Sequence, residues 1–208
     1  MVAVVTNQNR SFLGTVAQMH RDRKAVFVDG LKWDVPIVDD EFEADEYDTE
    51  AAVYLIAQDP ATGAHLGSLR LVCTAGPHLL GDKFAFLCDG PVPSGLDIWE
   101  ITRLCTTPGL DTRTALAIRM QLVMGVMEYA LANGIASYTM MTHVAYLPTL
   151  LAVGWDIEPI GLPMPVSGEM VGALQITISV EALDRLRVMY GFERAVLDAP
   201  RQTSVQVA

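Results

Sequence analysis

Two stretches of the chain concentrate groups suited to binding or catalysis. From Asp39 to Glu50 the segment DDEFEADEYDTE places eight acids in twelve residues. Such a concentration can hold a cationic ligand, and it can equally be a solvated acidic loop. The second stretch, DIWEITRLCTTPGLDTRTALA, reads as a strand, a loop and the start of a helix. A loop entering a helix N-terminus offers free backbone N–H groups and a favourable dipole to a phosphate. Gly109 alone does not specify such a site, and the G-x-x-x-x-G-K-[ST] spacing is absent. Metal chemistry is poorly served. Cys73, Cys88 and Cys105 lack C-x-x-C or finger spacing, and His20, His65, His78 and His143 stand apart from one another. The cysteines read as reduced and mostly buried, and no metal is expected.

These groups must be positioned by a chain of 208 residues, 51% hydrophobic and 19% charged, with mean hydropathy +0.30. That is one domain with a sizeable core. Net charge is −11, and removing the eight acids of the run leaves −11 + 8 = −3. The excess is local, and without a basic stripe a nucleic-acid partner is not expected. No apolar run approaches the roughly 20 residues that span a bilayer, and the opening MVAVVTNQNRSF does not have the pattern of a signal peptide. The expectation is a cytoplasmic protein without a membrane partner.

Residues 9–28 place Phe12, Val16, Met19, Arg23 and Phe27 at helical spacing, ending at Asp29-Gly30. An irregular acidic arm follows. VYLIAQD and HLGSLRLVC around PATGA read as a hairpin, and DIWEITRLC as another strand. Thr112 to Asn133 is a helix with an apolar stripe of Leu116, Met120, Val123, Met124 and Met127, stopped by Gly134. Then come strand SYTMMTH, short helix LPTLLAVGW, strand WDIEPIG, a loop from Pro163 to Gly172, strand ALQITISV and helix EALDRLRVMYG. Interleaved strands and helices indicate a single α/β domain over residues 1–192, with a flexible tail at 193–208.

An ordered set of residues carries a resemblance. Arg23-x3-Phe27-x5-Trp33, Asp45-x2-Asp48, Arg70 in GSLRL and Glu100-x2-Arg103 in WEITR, with HLLGDKF (Phe84) and THVAYLPTLLAVGW, resemble the acyl-homoserine lactone synthases. The match runs over residues 20–160. It implies a fold akin to the GNAT acyltransferases, an α-β-α sandwich with a mixed sheet of seven to eight strands. It also implies acylation of the amine of S-adenosylmethionine by an acyl thioester, then lactonisation with release of methylthioadenosine, making a quorum-sensing signal. S-adenosylmethionine is then a substrate, and no cofactor is implied.

Under that resemblance, Asp45 and Asp48 could hold the cationic end of S-adenosylmethionine. Phe27 and Trp33 could wall its adenine or sulfonium, with Phe84 nearby. Arg23, Arg70 and Arg103 could bind its carboxylate or brace the arm, pairing with Asp45, Asp48 and Glu100. Glu100 could accept the amine proton, or be an acid paired to Arg103. Backbone N–H groups between Glu100 and Cys105 could serve the oxyanion.

The acyl chain needs an apolar slot, for which Met124, Met127, Met140, Met141, Val144 and Leu150 are available, although a methionine stripe is also ordinary core. Thr142 matches the position where a hydroxyl favours a 3-oxo chain. Acyl-carrier protein is the favoured donor over acyl-CoA, and Lys24, Lys32, Arg113 and Arg119 are scattered candidates for docking it. The alternative is a GNAT N-acyltransferase using acyl-CoA on another amine, and a third reading is a non-catalytic ligand-binding module.

Overall fold

A computed structural model describes residues 1–6 and 13–198, so Phe12 and the tail from residue 199 lie outside the described residues. Strand β1 (Val2–Thr6), which the sequence reading passed over, pairs antiparallel with β4 (Val53–Gln58). Helix α1 (Leu13–Arg23) widens into a π-helical segment, Lys24–Gly30. The arm carries a short ribbon of β2 (Ile37–Val38) and β3 (Phe42–Glu43). The expected hairpin is β4 with β5 (His65–Cys73).

After α2 (Leu79–Lys83) come β6 (Ile98–Thr106), α3 (Thr112–Asn133) and β7 (Ser137–His143). The chain ends with α4 (Leu147–Val153), β8 (Asp156–Pro159), β9 (Met164–Val166), β10 (Glu169–Thr177) and α5 (Val180–Tyr190). Residues 163–172, expected as a loop, supply β9 and the start of β10, which pair with each other.

The eight-stranded sheet has the order β1-β4-β5-β6-β7-β10-β8, with β9 also beside β10. Among the strands of the described residues only β6 and β7 pair in parallel, and α3 supplies the crossover that parallel neighbours require. Asp111 caps α3 by accepting hydrogen bonds from the N–H groups of Arg113 and Thr114. Gly134 ends it at φ 68°, a conformation costly for other residues.

Both faces of the sheet are covered, which is why VYLIA is an unbroken apolar run. Val53, Leu55 and Ala57 pack toward Leu122, Met124, Val126 and Met127 of α3, while Tyr54 and Ile56 pack with Met19 of α1. Two expectations are corrected. Leu116 lies on the open face of α3 and is exposed; Ile118 and Leu122 take the buried positions instead. Residues 196–198, expected in the flexible tail, are tied down: Val2 N–H donates to the Val196 carbonyl, and the buried Glu128 accepts from the N–H groups of Val196 and Leu197.

Candidate active site

Two local irregularities in β6 create the site. Its register with β7 runs from Ile98↔Ser137 to Ile101↔Met140 and stops there, although both strands continue. The two parallel strands therefore part. On its other edge, Arg70 pairs with Thr102 and Ser68 with Cys105, so Arg103 and Leu104 together oppose Leu69. This is a β-bulge, and Arg103 occupies it at φ 54°. A bulge re-aims the side chain it carries, here toward the acidic arm.

Three guanidiniums converge there on three carboxylates. Arg23 donates from Nε to Glu43 at 2.5 Å and from Nη1 and Nη2 to Asp48 at 2.8 and 2.9 Å. Arg70 donates from Nη1 and Nη2 to Asp45 at 2.5 and 3.1 Å and from Nε to Thr102 Oγ1 at 3.0 Å. Its Nη1 is also 2.9 Å from Asp48. Arg103 reaches Glu43 from Nε at 3.1 Å and Asp45 from Nη2 at 2.7 Å. All six side chains are buried or nearly so, and the six formal charges cancel.

Such a cluster survives burial because each charge is paired and bidentate geometry is satisfied. Burial works to raise the Asp48 carboxyl, but the hydrogen bonds and charges of Arg23 and Arg70 outweigh it and hold the group far below the usual carboxylate range. Asp45 is likewise lowered: burial opposes the shift, and Arg70 and Arg103 win.

The oxygens of the two aspartates are fully engaged. Asp45 Oδ1 accepts from Arg70 and the Tyr47 N–H, and Oδ2 from Arg70 and Arg103. Asp48 Oδ1 accepts from Arg23 and the Tyr54 hydroxyl; Oδ2 takes Arg23 and the Asp45 N–H. As folded, these residues brace the arm, and Arg103 Nη1 is left out of these pairs.

The aromatic residues form a lid beside this cluster. Phe27, on the π-helical segment, stacks on Trp33 with centroids 4.8 Å apart and planes at 16°. The Arg103 guanidinium lies 5.7 Å from the Phe27 centroid. Trp33 is also parallel to the His143 ring at 6.2 Å, so the lid reaches from the arm to the end of β7. Phe84 is elsewhere, packed with the cluster of Leu80, Leu87, Val171 and Ala173.

Of the two readings of Glu100, the pairing with Arg103 is not the one formed. Its Oε2 accepts from the Leu79 N–H at 2.9 Å and its Oε1 from the Leu80 N–H at 2.7 Å. The bulge turns Arg103 away, and the first N–H groups of α2, which no helical carbonyl can satisfy, claim the carboxylate. Burial pushes the Glu100 carboxyl up, against those two hydrogen bonds and the charges of His78 and Arg70.

The proposed acyl-slot residues divide. Met124, Met127 and Met140 are buried in the main core between sheet and α3, with Leu150 packed against it. Met141 points to the opposite face, onto the Leu80–Val171 cluster. Thr142 and Val144 line an apolar cavity of about 50 Å³ with Leu147, Pro159, Gly161, Pro163, Gly172, Ala173 and Leu174. Lys24 is paired with Asp29, and Lys32 donates to the Asp29 carbonyl. Arg113 and Arg119 are exposed on α3. Sequence reasoning missed Glu43, Tyr54 and Thr102. With Glu100 bonded to backbone instead, the three arginines need a third carboxylate, and Glu43 supplies it.

Residues 7–186 match the family model described as autoinducer synthase. The chain belongs to the autoinducer synthase family. An acyl-homoserine-lactone synthase of Rhizobium etli is 35% identical over 164 residues, 77% of this chain and 76% of that protein. An isovaleryl-homoserine lactone synthase of Bradyrhizobium diazoefficiens is 30% identical over 99% of this chain and 93% of that one. The structure of BjaI, a CoA-dependent acyl-homoserine lactone synthase with S-adenosylmethionine and isopentyl-CoA, superposes with TM-score 0.86 at 29% identity, covering 97% of this chain and 94% of that one. A Lactobacillus plantarum structure described as an N-acetyltransferase shares the fold alone, at TM-score 0.57 and 17% identity over 86% of this chain and 99% of that one. This autoinducer synthase is thus an acyltransferase with a GNAT-like mixed sheet, and its activity is acyl-homoserine lactone synthesis.

Proposed function

We propose that the enzyme acylates the amine of S-adenosylmethionine from a short acyl-CoA thioester, then lactonises the product with release of methylthioadenosine. The observation that carries this reading is the balanced cluster of Arg23, Arg70 and Arg103 with Glu43, Asp45 and Asp48. It fixes the Phe27–Trp33 lid beside the point where β6 and β7 part. The lid faces the adenine or sulfonium, and Arg103 Nη1 takes the carboxylate.

Attack on the thioester needs a neutral amine. Glu100, on β6 just before the strands part, is 1% exposed and accepts the proton through a water, and its raised carboxyl brings it closer to that task. Backbone N–H groups of β6 beyond Ile101, no longer paired to β7, serve the developing oxyanion. In the second step the carboxylate of the acylated substrate attacks the carbon beside sulfur, and methylthioadenosine leaves. The protein's part is to hold that near-attack geometry.

The small cavity beside Thr142 fits a short acyl end better than a long one. Coenzyme A is favoured as carrier because the full-length relatives include a CoA-dependent enzyme, while Lys24 and Lys32 are engaged within the arm. Mass spectrometry of the purified enzyme given S-adenosylmethionine with matched acyl-CoA and acyl-carrier thioesters tests every part. The expected result is a short-chain acyl-homoserine lactone with equimolar methylthioadenosine from the CoA arm. Product only from the carrier arm overturns the donor assignment, and acylated amine without methylthioadenosine overturns the lactonisation.

A further inference from the structure

A second polar chain lies buried outside the cluster described above. Asp22, in the last turn of α1, accepts at Oδ2 from His65 Nδ1 at 2.6 Å and from the Thr107 hydroxyl at 2.7 Å. Its Oδ1 accepts from Gln18 Nε2 at 2.9 Å. His65 Nε2 is in turn 2.9 Å from Ser68 Oγ. A carboxylate only accepts, so Nδ1 carries a proton and Nε2 faces the serine hydroxyl. The order Ser–His–Asp is that of an activated nucleophile. Here, however, Ser68 is 1% exposed and His65 2%, and Ser68 abuts the buried Cys105. No substrate reaches that oxygen, so the chain has another use.

Its place in the fold indicates which. Asp22 immediately precedes Arg23, whose side chain enters the arm cluster, and Lys24 begins the π-helical segment that carries Phe27. A π turn is marginal by itself and persists where its surroundings hold it. Its phase decides whether Phe27 meets Trp33 and Arg103. The last α turn is held on both sides: Arg23 to the arm, and Asp22 to β5 and to Thr107, the residue after β6. We propose that Asp22, His65, Ser68 and Thr107 are positioning residues that set the phase of the π-helical segment and so aim the Phe27–Trp33 lid. This rests on the reading of that lid as the S-adenosylmethionine wall.

The test uses two space-conserving variants of the full-length enzyme, Asp22→Asn and His65→Gln. Positioning predicts that the apparent KM for S-adenosylmethionine rises about tenfold, while kcat and the KM for the acyl thioester stay within about twofold. A role in stability alone lowers the melting temperature and the active fraction but leaves that KM unchanged, and this result in either folded variant overturns the proposal. If Asp22→Asn does not fold, His65→Gln carries the same decision. Fluorine NMR of 5-fluorotryptophan-labelled protein separates the two layers of the argument, with the Trp33 resonance assigned by its loss in Trp33→Phe. Should the wild type fail to use S-adenosylmethionine, the functional reading falls. A Trp33 resonance shifted in both variants, with that of Trp155 unmoved, still upholds the aiming role; an unshifted one ends it.

Discussion

On one side of β6, three guanidiniums and three carboxylates lock the acidic arm to the sheet, with hydrogen-bond partners on every aspartate oxygen. Past β7, Thr142, Gly172 and their neighbours line about 50 Å³ of apolar space. Under the proposed function, the first region is complete in its own partners before a ligand arrives, and an acyl chain completes the second. The contrast suits a reaction in which one substrate is always the same molecule and the other varies in length: preorganised charges reject the wrong amine, and a soft apolar wall can be resized at little cost.

Removing one member of the ionic side should have the largest effect. Arg70→Ala leaves Asp45 and Asp48 buried with too little positive charge, a loss of about 3–5 kcal/mol. Urea unfolding measures it, and a loss below about 1 kcal/mol would mean that the cluster opens to water. The same groups set an acid limit. The folded-state carboxyls of Asp45 and Asp48 are depressed. Their contribution is therefore complete above the unfolded aspartate value near 4 and is lost as pH falls below it. Melting temperatures should be flat from about pH 7 to 5 and drop by pH 3, and in Arg70→Ala the drop should shrink.

A smaller effect sharpens where the acyl side begins. Met127 is fully buried between α3 and the sheet, so Met127→Ala should cost about 3 kcal/mol as a cavity substitution. The spread of acyl chains accepted should nevertheless stay as in the wild type. A variant that takes longer chains would move the slot into the main core.

This division also explains what was legible in the sequence. The arginines, the aspartates and the Phe27–Trp33 pair are few, chemically distinctive and fixed in order, and they meet as expected. Helix α3 and the β4–β5 hairpin were readable because periodicity and the PATGA turn mark them. Glu43 was hidden inside a run of eight acids in which nothing local separates a buried carboxylate from a solvated one. The bulge at Arg103, which turns it away from Glu100, depends on β5 as much as on β6 and leaves no local trace. The acyl slot was less legible for a different reason. Apolar residues are interchangeable by type, and adjacent residues of a strand face opposite ways, so Met140 and Met141 divide between two cores.

The smallest predicted effect is the most selective one. Gly172 pairs with Thr142 across β10 and β7 and lines the cavity. A Cβ added there meets only Pro163, at 3.7 Å, which is ordinary contact. Valine should therefore be accepted by the backbone, with its methyl groups taking the empty space. A pocket shortened by a few carbons discriminates by about 1–3 kcal/mol between chains that differ by a methylene or two. Gly172→Val should thus lower kcat/KM for the preferred acyl thioester about tenfold while leaving an acetyl or propionyl donor, and the KM for S-adenosylmethionine, within about twofold. Competition between two acyl-CoA donors, read by product mass, measures the ratio directly. If the ratio does not move, the acyl chain runs elsewhere along the parting of β6 and β7; if the KM for S-adenosylmethionine moves as well, the two regions are coupled through the His143–Trp33 contact that joins them.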